Sequence, residues 1–265
     1  MKNLKIKSSP RIKLINYNII YLICAFLLTI YISSCTKPVK LPDISLIDTD
    51  DYISRIRHDQ NIIKSIKGLA LVRLTAPNNK ISYRQATIIQ SPNRIRLEAY
   101  SILGRTEALI ISDGNLVGLK FAGRKWMYYD ADQFDFSLFF KVIPIKINTE
   151  QLNTFLLGKI PQNVFDNKFK LTGDEKDGLL VFTSVNGEDV LYVNHDFRKI
   201  VKAKFRLNTG EILKVEYGDF KFINKGLYFP KMLKLKYMNY MIYIKYDDDI
   251  EINDEINQSN YSVNP

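Results

Sequence analysis

From Thr49 onward, apolar residues first recur at roughly helical spacing: Ile53, Ile56, Ile62, Ile63 and Ile66. Asp50 and Asp51 fall in the first turn, where acidic groups complement the positive end of a helix. The pattern predicts one helix, ended by Gly68. Beyond it the period shortens. Residues 68–75, 80–90, 94–100, 106–112, 115–121 and 124–130 are rich in Val, Ile, Leu, Tyr and Trp. Turn residues divide them: Pro77-Asn78-Asn79, Ser91-Pro92-Asn93, Asp113-Gly114 and Ala122-Gly123. Links this short force antiparallel neighbours, so this part is predicted to be a meander.

The period then changes again. Residues 132–140 predict a short helix, with Phe134, Leu138 and aromatic neighbours on one side. Residues 148–157 predict a second, with Asn148 as cap, Gln151 three positions on, and Gly158 and Pro161 closing it. Leu152, Phe155 and Leu156 form its apolar face. Strands resume at 168–172, 179–185, 189–193, 199–207, 211–220, 230–238 and 241–246. Leu233, Leu235 and Tyr237 alternate with Lys234 and Lys236, the mark of a sheet wet on one face. So many strands in one open sheet must twist and curl. The expected fold is mainly β with a few α-helices: a strongly curved antiparallel sheet, an incomplete barrel, with helices on its concave side. The interior is either a solid core or a lipid-sized cavity. Residues 251–265 are expected to fray, having few large apolar groups after Ile252.

The N-terminus follows a different pattern. Lys2, Lys5, Lys7, Arg11 and Lys13 precede a mostly apolar run from Ile19 to Ile32, followed by Ser33-Ser34-Cys35. A basic zone, a short apolar zone and small residues describe an export signal. Read as a membrane helix, the run would span about 21 Å, short of a hydrocarbon core of roughly 30 Å. Ile32-Ser33-Ser34-Cys35 resembles the lipobox of bacterial lipoproteins at all four positions, whereas Ile23 before Cys24 is too large. The resemblance implies cleavage before Cys35 and lipid on that residue, holding the chain to a membrane. Residues 1–34 are thus a signal peptide, 35–48 a lipid-attached linker containing Pro38 and Pro42, and 49–250 the folded domain.

This division changes the charge picture. Of 38 basic residues five fall in the signal, leaving 33 against 28 acids, a net +5 instead of +10. The remaining bases are scattered, so no nucleic acid is expected as partner. Cys24 leaves with the signal and Cys35 carries lipid, so no disulfide is available and the apolar core must hold the domain. No constellation for catalysis stands out. His58 and His195 have no second His or Cys at metal spacing. Asp247-Asp248-Asp249 with Glu251 lacks the spacing and glycine of a calcium loop. Trp126, Tyr128 and Tyr129 read as strand residues that pack a sheet rather than as a base-stacking platform. A non-enzymatic protein without metal or cofactor is expected.

One hairpin adds specific information. Residues 94–100 run into Ser101-Ile102-Leu103-Gly104, and residues 106–111 lead away. This resembles the LolB family of outer-membrane lipoprotein insertases, in which a strand ends in an Asn/Ser-Pro-Leu-Gly loop and the next begins with Thr. Pro144-Ile145-Lys146-Ile147-Asn148, Leu156-Leu157-Gly158 with Pro161, Val215-Glu216-Tyr217 and Pro230 follow in the family's order. Coverage is roughly residues 50 to 246. The resemblance implies a half-barrel with a helical lid over a hydrophobic cavity that receives acyl chains, and a loop leucine that helps pass lipoproteins into the membrane. By position that leucine is Leu103, flanked by Ile102 and Gly104. The chain departs from the family at Ile102, where proline is usual, which makes the loop less rigid.

The resemblance further implies a monomer anchored through lipidated Cys35 on the periplasmic side of the outer membrane, taking acyl chains from a LolA-like periplasmic carrier. Leu97, Leu109, Leu119, Trp126, Phe139 and Phe155 are the candidates to line the cavity. Two other readings stay open: a structural envelope lipoprotein with a filled core, and a carrier of other lipids on the same fold. An apolar cavity under the helices separates the first from a filled core.

Overall fold

The computed structural model describes residues 41–137, 144–174, 177–207, 210–224 and 227–263. Cys35 and Phe139 lie outside them. Strands β1 (Ser65–Ala76), β2 (Asn79–Gln90), β3 (Arg94–Tyr100), β4 (Thr106–Ser112), β5 (Leu116–Phe121) and β6 (Met127–Asp130) form the first meander. The second contains β7 (Phe169–Asp174), β8 (Leu179–Ser184), β9 (Val190–Asn194), β10 (Lys199–Arg206), β11 (Ile212–Asn224), β12 (Leu227–Tyr237) and β13 (Tyr240–Tyr246). Antiparallel pairing of β1 with β13 fuses them into one sheet, ordered β6-β5-β4-β3-β2-β1-β13-β12-β11-β10-β9-β8-β7. A short β14 (Glu251–Ile252) extends the β1 edge past the end of β13. The sheet is open: β6 and β7 are not paired to each other.

The strand period sorts residues between the two faces. Leu74, Ile242, Leu235, Val215, Ala203, Leu191 and Phe182 are directly paired neighbours across seven strands, and all are buried. One residue over, Arg73, Tyr243, Lys234, Glu216, Lys202 and Tyr192 form the matching row on the outer face. There Glu216 accepts from Lys234 at 2.8 Å and Lys236 at 2.6 Å. The alternation of Lys234 and Lys236 with Leu233 and Leu235 thus separates an ionic outer face from an apolar inner one.

Among the described residues, two helices of eight or more residues cover the inner face. Helix α1 (Thr49–Gln60) is capped by Asp48, whose carboxylate accepts from the Asp50 and Asp51 N–H groups. It buries Tyr52, Ile53 and Ile56, and Tyr52 stacks on Phe182. The helix is shorter than the apolar spacing predicted. Asn61 caps it, and Ile66 and Gly68 belong to β1. A run of isoleucines satisfies either period, and the β-branched residues after Asn61 go to the strand. Helix α2 (Thr149–Leu156) forms where predicted, with the Asn148–Gln151 capping box closed in both directions. Leu152, Phe155 and Leu156 enter the core, and Phe155 stacks on Phe205 of β10. Of the predicted helix over 132–140, residues 132–136 are turn and coil with Phe134 and Phe136 buried, Ser137 is helical, and 138–140 lie outside the described residues. Among the described residues no helix is long and apolar enough to cross a membrane.

The C-terminal tail, expected to fray from residue 251, is held instead. Asn253 accepts from the Lys64 and Ser65 N–H groups and donates to the Ile62 carbonyl. A short helical turn, Gln258–Tyr261, then packs across the outer face of β3, with Tyr261 buried. A few well-placed polar contacts and one aromatic are enough to order a segment whose composition is mostly polar.

Candidate functional site

The β3–β4 hairpin closes through Ser101. Its N–H donates to the Arg105 carbonyl at 2.8 Å, its carbonyl accepts from Gly104 N–H at 2.9 Å, and its hydroxyl accepts from Arg105 N–H at 3.2 Å. Gly104 sits at φ 75°, a left-handed position that favours glycine. A register shift between Ala99 and Tyr100 adds a bulge at the base of the loop. The Thr106 hydroxyl donates to Glu98 at 2.5 Å across the same base. This framework leaves Ile102 and Leu103 projecting at the tip, 104% and 82% exposed. Two adjacent aliphatic side chains in water are an uncommon surface feature for a folded domain.

Below the tip lies an open hollow of about 1050 Å³. Ile102 and Leu103 border it with Leu74, Ile81, Tyr83, Ala99, Ala108 and Phe121. These last six residues share the inner face through direct pairing: Leu74 with Ile81, Ala99 with Ala108, and Ala108 with Phe121. Ala99 and Ala108 are small, so the sheet recedes where larger residues would fill it. Burial pushes the Tyr83 phenol well up, and Arg84 at the rim is tied to Asp247. The hollow is therefore an apolar concavity with a polar rim, and its mouth carries the aliphatic tip.

The remaining cavity candidates divide. Leu97, Leu119 and Phe155 are on the inner face, but they are buried in the core under α1 and α2. Among the described residues these three pack within the core, whereas the open hollow lies at the end of β1–β5. Leu109 and Trp126 belong to the outer face. Leu109 is paired with Glu98 and Lys120, and Trp126 packs with Val263 over Gly118. Lys120 lies over the Trp126 ring at 5.6 Å and Tyr128 stacks beside it. An apolar residue on a strand gives no indication of its face until register is fixed. The residues missed were Leu74, Ile81, Tyr83, Ala99, Ala108 and Phe121. The two alanines, on facing strands beside the exposed loop, were the available signal.

No protein-family model matches the chain, and no curated protein matches it. Solved structures do. A LolA superfamily protein from Nitrosomonas europaea superposes with a TM-score of 0.52 at 12% identity, over 82% of this chain and 98% of that one. A DUF1329 family protein from Desulfovibrio piger gives 0.56 at 12% identity, over 86% and 98%. A domain assigned to outer membrane lipoprotein sorting in Vibrio parahaemolyticus gives 0.50 at 10% identity, over 79% and 94%. The chain therefore has the LolA/LolB-like fold.

Proposed function

We propose that this protein is a non-enzymatic, lipid-anchored envelope protein that accepts the acyl chains of lipoproteins and releases them into the outer membrane. The observation that supports this reading is the placement of exposed Ile102 and Leu103 on the border of a 1050 Å³ apolar hollow. The hollow is of the size that takes ligands. Inserting each tip side chain into acyl chains is favourable by roughly 1.5–3 kcal/mol. A lipid on Cys35 would keep the tip near the bilayer, with a LolA-like periplasmic carrier as donor. Transfer needs no nucleotide if the hollow binds acyl chains better than the donor does and the bilayer binds them better still.

Transfer of a lipoprotein from carrier to liposomes tests the reading. Leu103→Glu should fold normally and lose most transfer; normal transfer by that variant would remove the loop from the mechanism.

The burial of Leu97, Leu119 and Phe155 in the core beneath α1 and α2 favours a second reading, a structural envelope lipoprotein that docks a partner. Mass spectrometry of the purified protein separates the two. Copurifying acyl chains support lipid handling, whereas an empty hollow together with unchanged lipoprotein localisation after depletion supports the structural role.

A further inference from the structure

At the opposite end of β2 and β3 from the hollow, a second cavity of about 430 Å³ opens between the C-terminal end of α1, the ends of α2 and the turn at Ser91-Pro92. Its character is polar. Ser91 and Thr154 contribute hydroxyls, Asn61 and Asn163 contribute amides, and Lys159 lines it. Lys159 is 6% exposed. Among the described residues its ammonium has no hydrogen-bond or ion-pair partner. Its backbone is fixed on both sides: the N–H donates to the Thr154 carbonyl at 3.0 Å, and its carbonyl accepts from the buried Tyr217 phenol at 2.6 Å. Gly158, at φ 72° and packed against Pro230, sets the turn that delivers it. The stem of Lys159 is buried while its ammonium keeps solvent contact in a polar cavity and has no counter-charge, so half of an ion pair is in place. Glu150 is the one acid on the wall, and it makes no ion pair with Lys159.

We propose that this cavity is an anion site for a phosphoryl group, with Lys159 as the charge and the Ser91 and Thr154 hydroxyls as further donors. Lysine suits the role, being a compact point charge with three donors. The volume leaves room for a small polar body attached to the phosphate. Desolvation, reinforced by nearby Lys64, lowers the Lys159 pKa to about 8. The site is distinct from the acyl hollow. At about 3.3 Å per residue, the length of β3 alone separates them by roughly 23 Å. A tip inserted in a bilayer would therefore leave this cavity in water.

Titration calorimetry tests the proposal, with inorganic phosphate at constant ionic strength and the full chain in maltoside micelles. A saturable 1:1 isotherm is expected. Lys159→Met should weaken it about tenfold or more, the scale of one charge-assisted bond. Glu150→Gln should tighten it severalfold, an effect that mere loss of structure cannot produce. If Lys159→Met does not fold, Ser91→Ala takes its place with a smaller loss. No saturable binding, or equal binding by wild type and Lys159→Met, overturns the site. Phosphatidylglycerol vesicles as competitor identify the source. Displacement of phosphate points to a lipid headgroup, and no displacement to a free phosphate compound. Acyl transfer is measured separately, so either activity can fail alone.

Discussion

Gln60 and Ile160 hold each other in a reciprocal pair. The Gln60 amide donates to the Ile160 carbonyl at 3.1 Å, and Ile160 N–H donates back to the amide oxygen at 3.0 Å. One side chain at the end of α1 thus substitutes for a strand neighbour of the segment after α2. It ties the end of α1 to the segment after α2. Gln60→Leu should destabilise the fold by roughly 1–3 kcal/mol, because two backbone groups lose their partners. Gln60→Glu should lie between Leu and wild type, since it keeps an acceptor for Ile160 N–H and loses the donor. Denaturant unfolding of the three proteins checks the order, and a neutral Gln60→Leu would show the pair to be replaceable by water.

A second anchor acts from the sheet side. The Tyr217 phenol, buried on β11, donates to the Lys159 carbonyl, and Tyr246 on β13 donates to the Leu156 carbonyl at 3.2 Å. Together they satisfy carbonyls at the C-terminal end of α2, where a helix lacks its own donors. Tyr217→Phe keeps the packing and removes the bond, so a loss of about 1–2 kcal/mol is expected in equilibrium unfolding. Tyr246→Phe should cost less, its bond being longer.

Most of the architecture was readable because strands and turns here obey local rules. Each meander strand falls within a few residues of its apolar run, and the Asn148–Gln151 box marked α2 directly. Failures came where tertiary partners decide. Ile66 fits helix or strand, and pairing with Ile89 and Ile252 makes it strand. Trp126 and Leu109 gave no indication of face, because a strand shows two equivalent sides until its register is fixed. The tail was lost to composition: Asn253 and Tyr261 are two residues in a polar stretch. Lys159 gave no signal, since its importance lies in the acid that is missing beside it. The loop tip was legible only through resemblance, and its bordering hollow only in three dimensions.

The titration of buried groups predicts an alkaline stability maximum. Lys159 is depressed from 10.5 to about 8, so between those values the unfolded chain binds more protons than the folded one and stability rises with pH. Lys199, also depressed by burial, acts in the same direction. The phenols of Tyr217, Tyr246 and Tyr83 are pushed the other way by burial. Above their ordinary value near 10 the unfolded chain loses those protons first, and stability falls. Melting temperature should therefore climb from about pH 8 to about pH 10 and drop beyond it. Lys159→Met should flatten the rise and leave the fall. A wild-type curve already falling between about pH 8 and pH 10 would contradict this assignment.

Tyr261 gives the sharpest test of the ordered tail. Its ring is buried on the outer face, yet among the described residues its hydroxyl has no hydrogen-bond partner. The residue should therefore stabilise through its ring and not through its oxygen. Tyr261→Phe removes an unsatisfied buried hydroxyl and is expected to be neutral or mildly stabilising. Tyr261→Ala removes the ring and should cost about 3–5 kcal/mol, the scale of a deleted core aromatic. It should also loosen Arg94, which reaches the tail through Gln258, and expose Trp126 to water. Trp126 is the only tryptophan in the chain, so its emission reports this directly. A red shift in Tyr261→Ala with none in Tyr261→Phe is expected. If both variants unfold and fluoresce like wild type, the tail contributes no stability, and the buried ring does not hold it to the sheet.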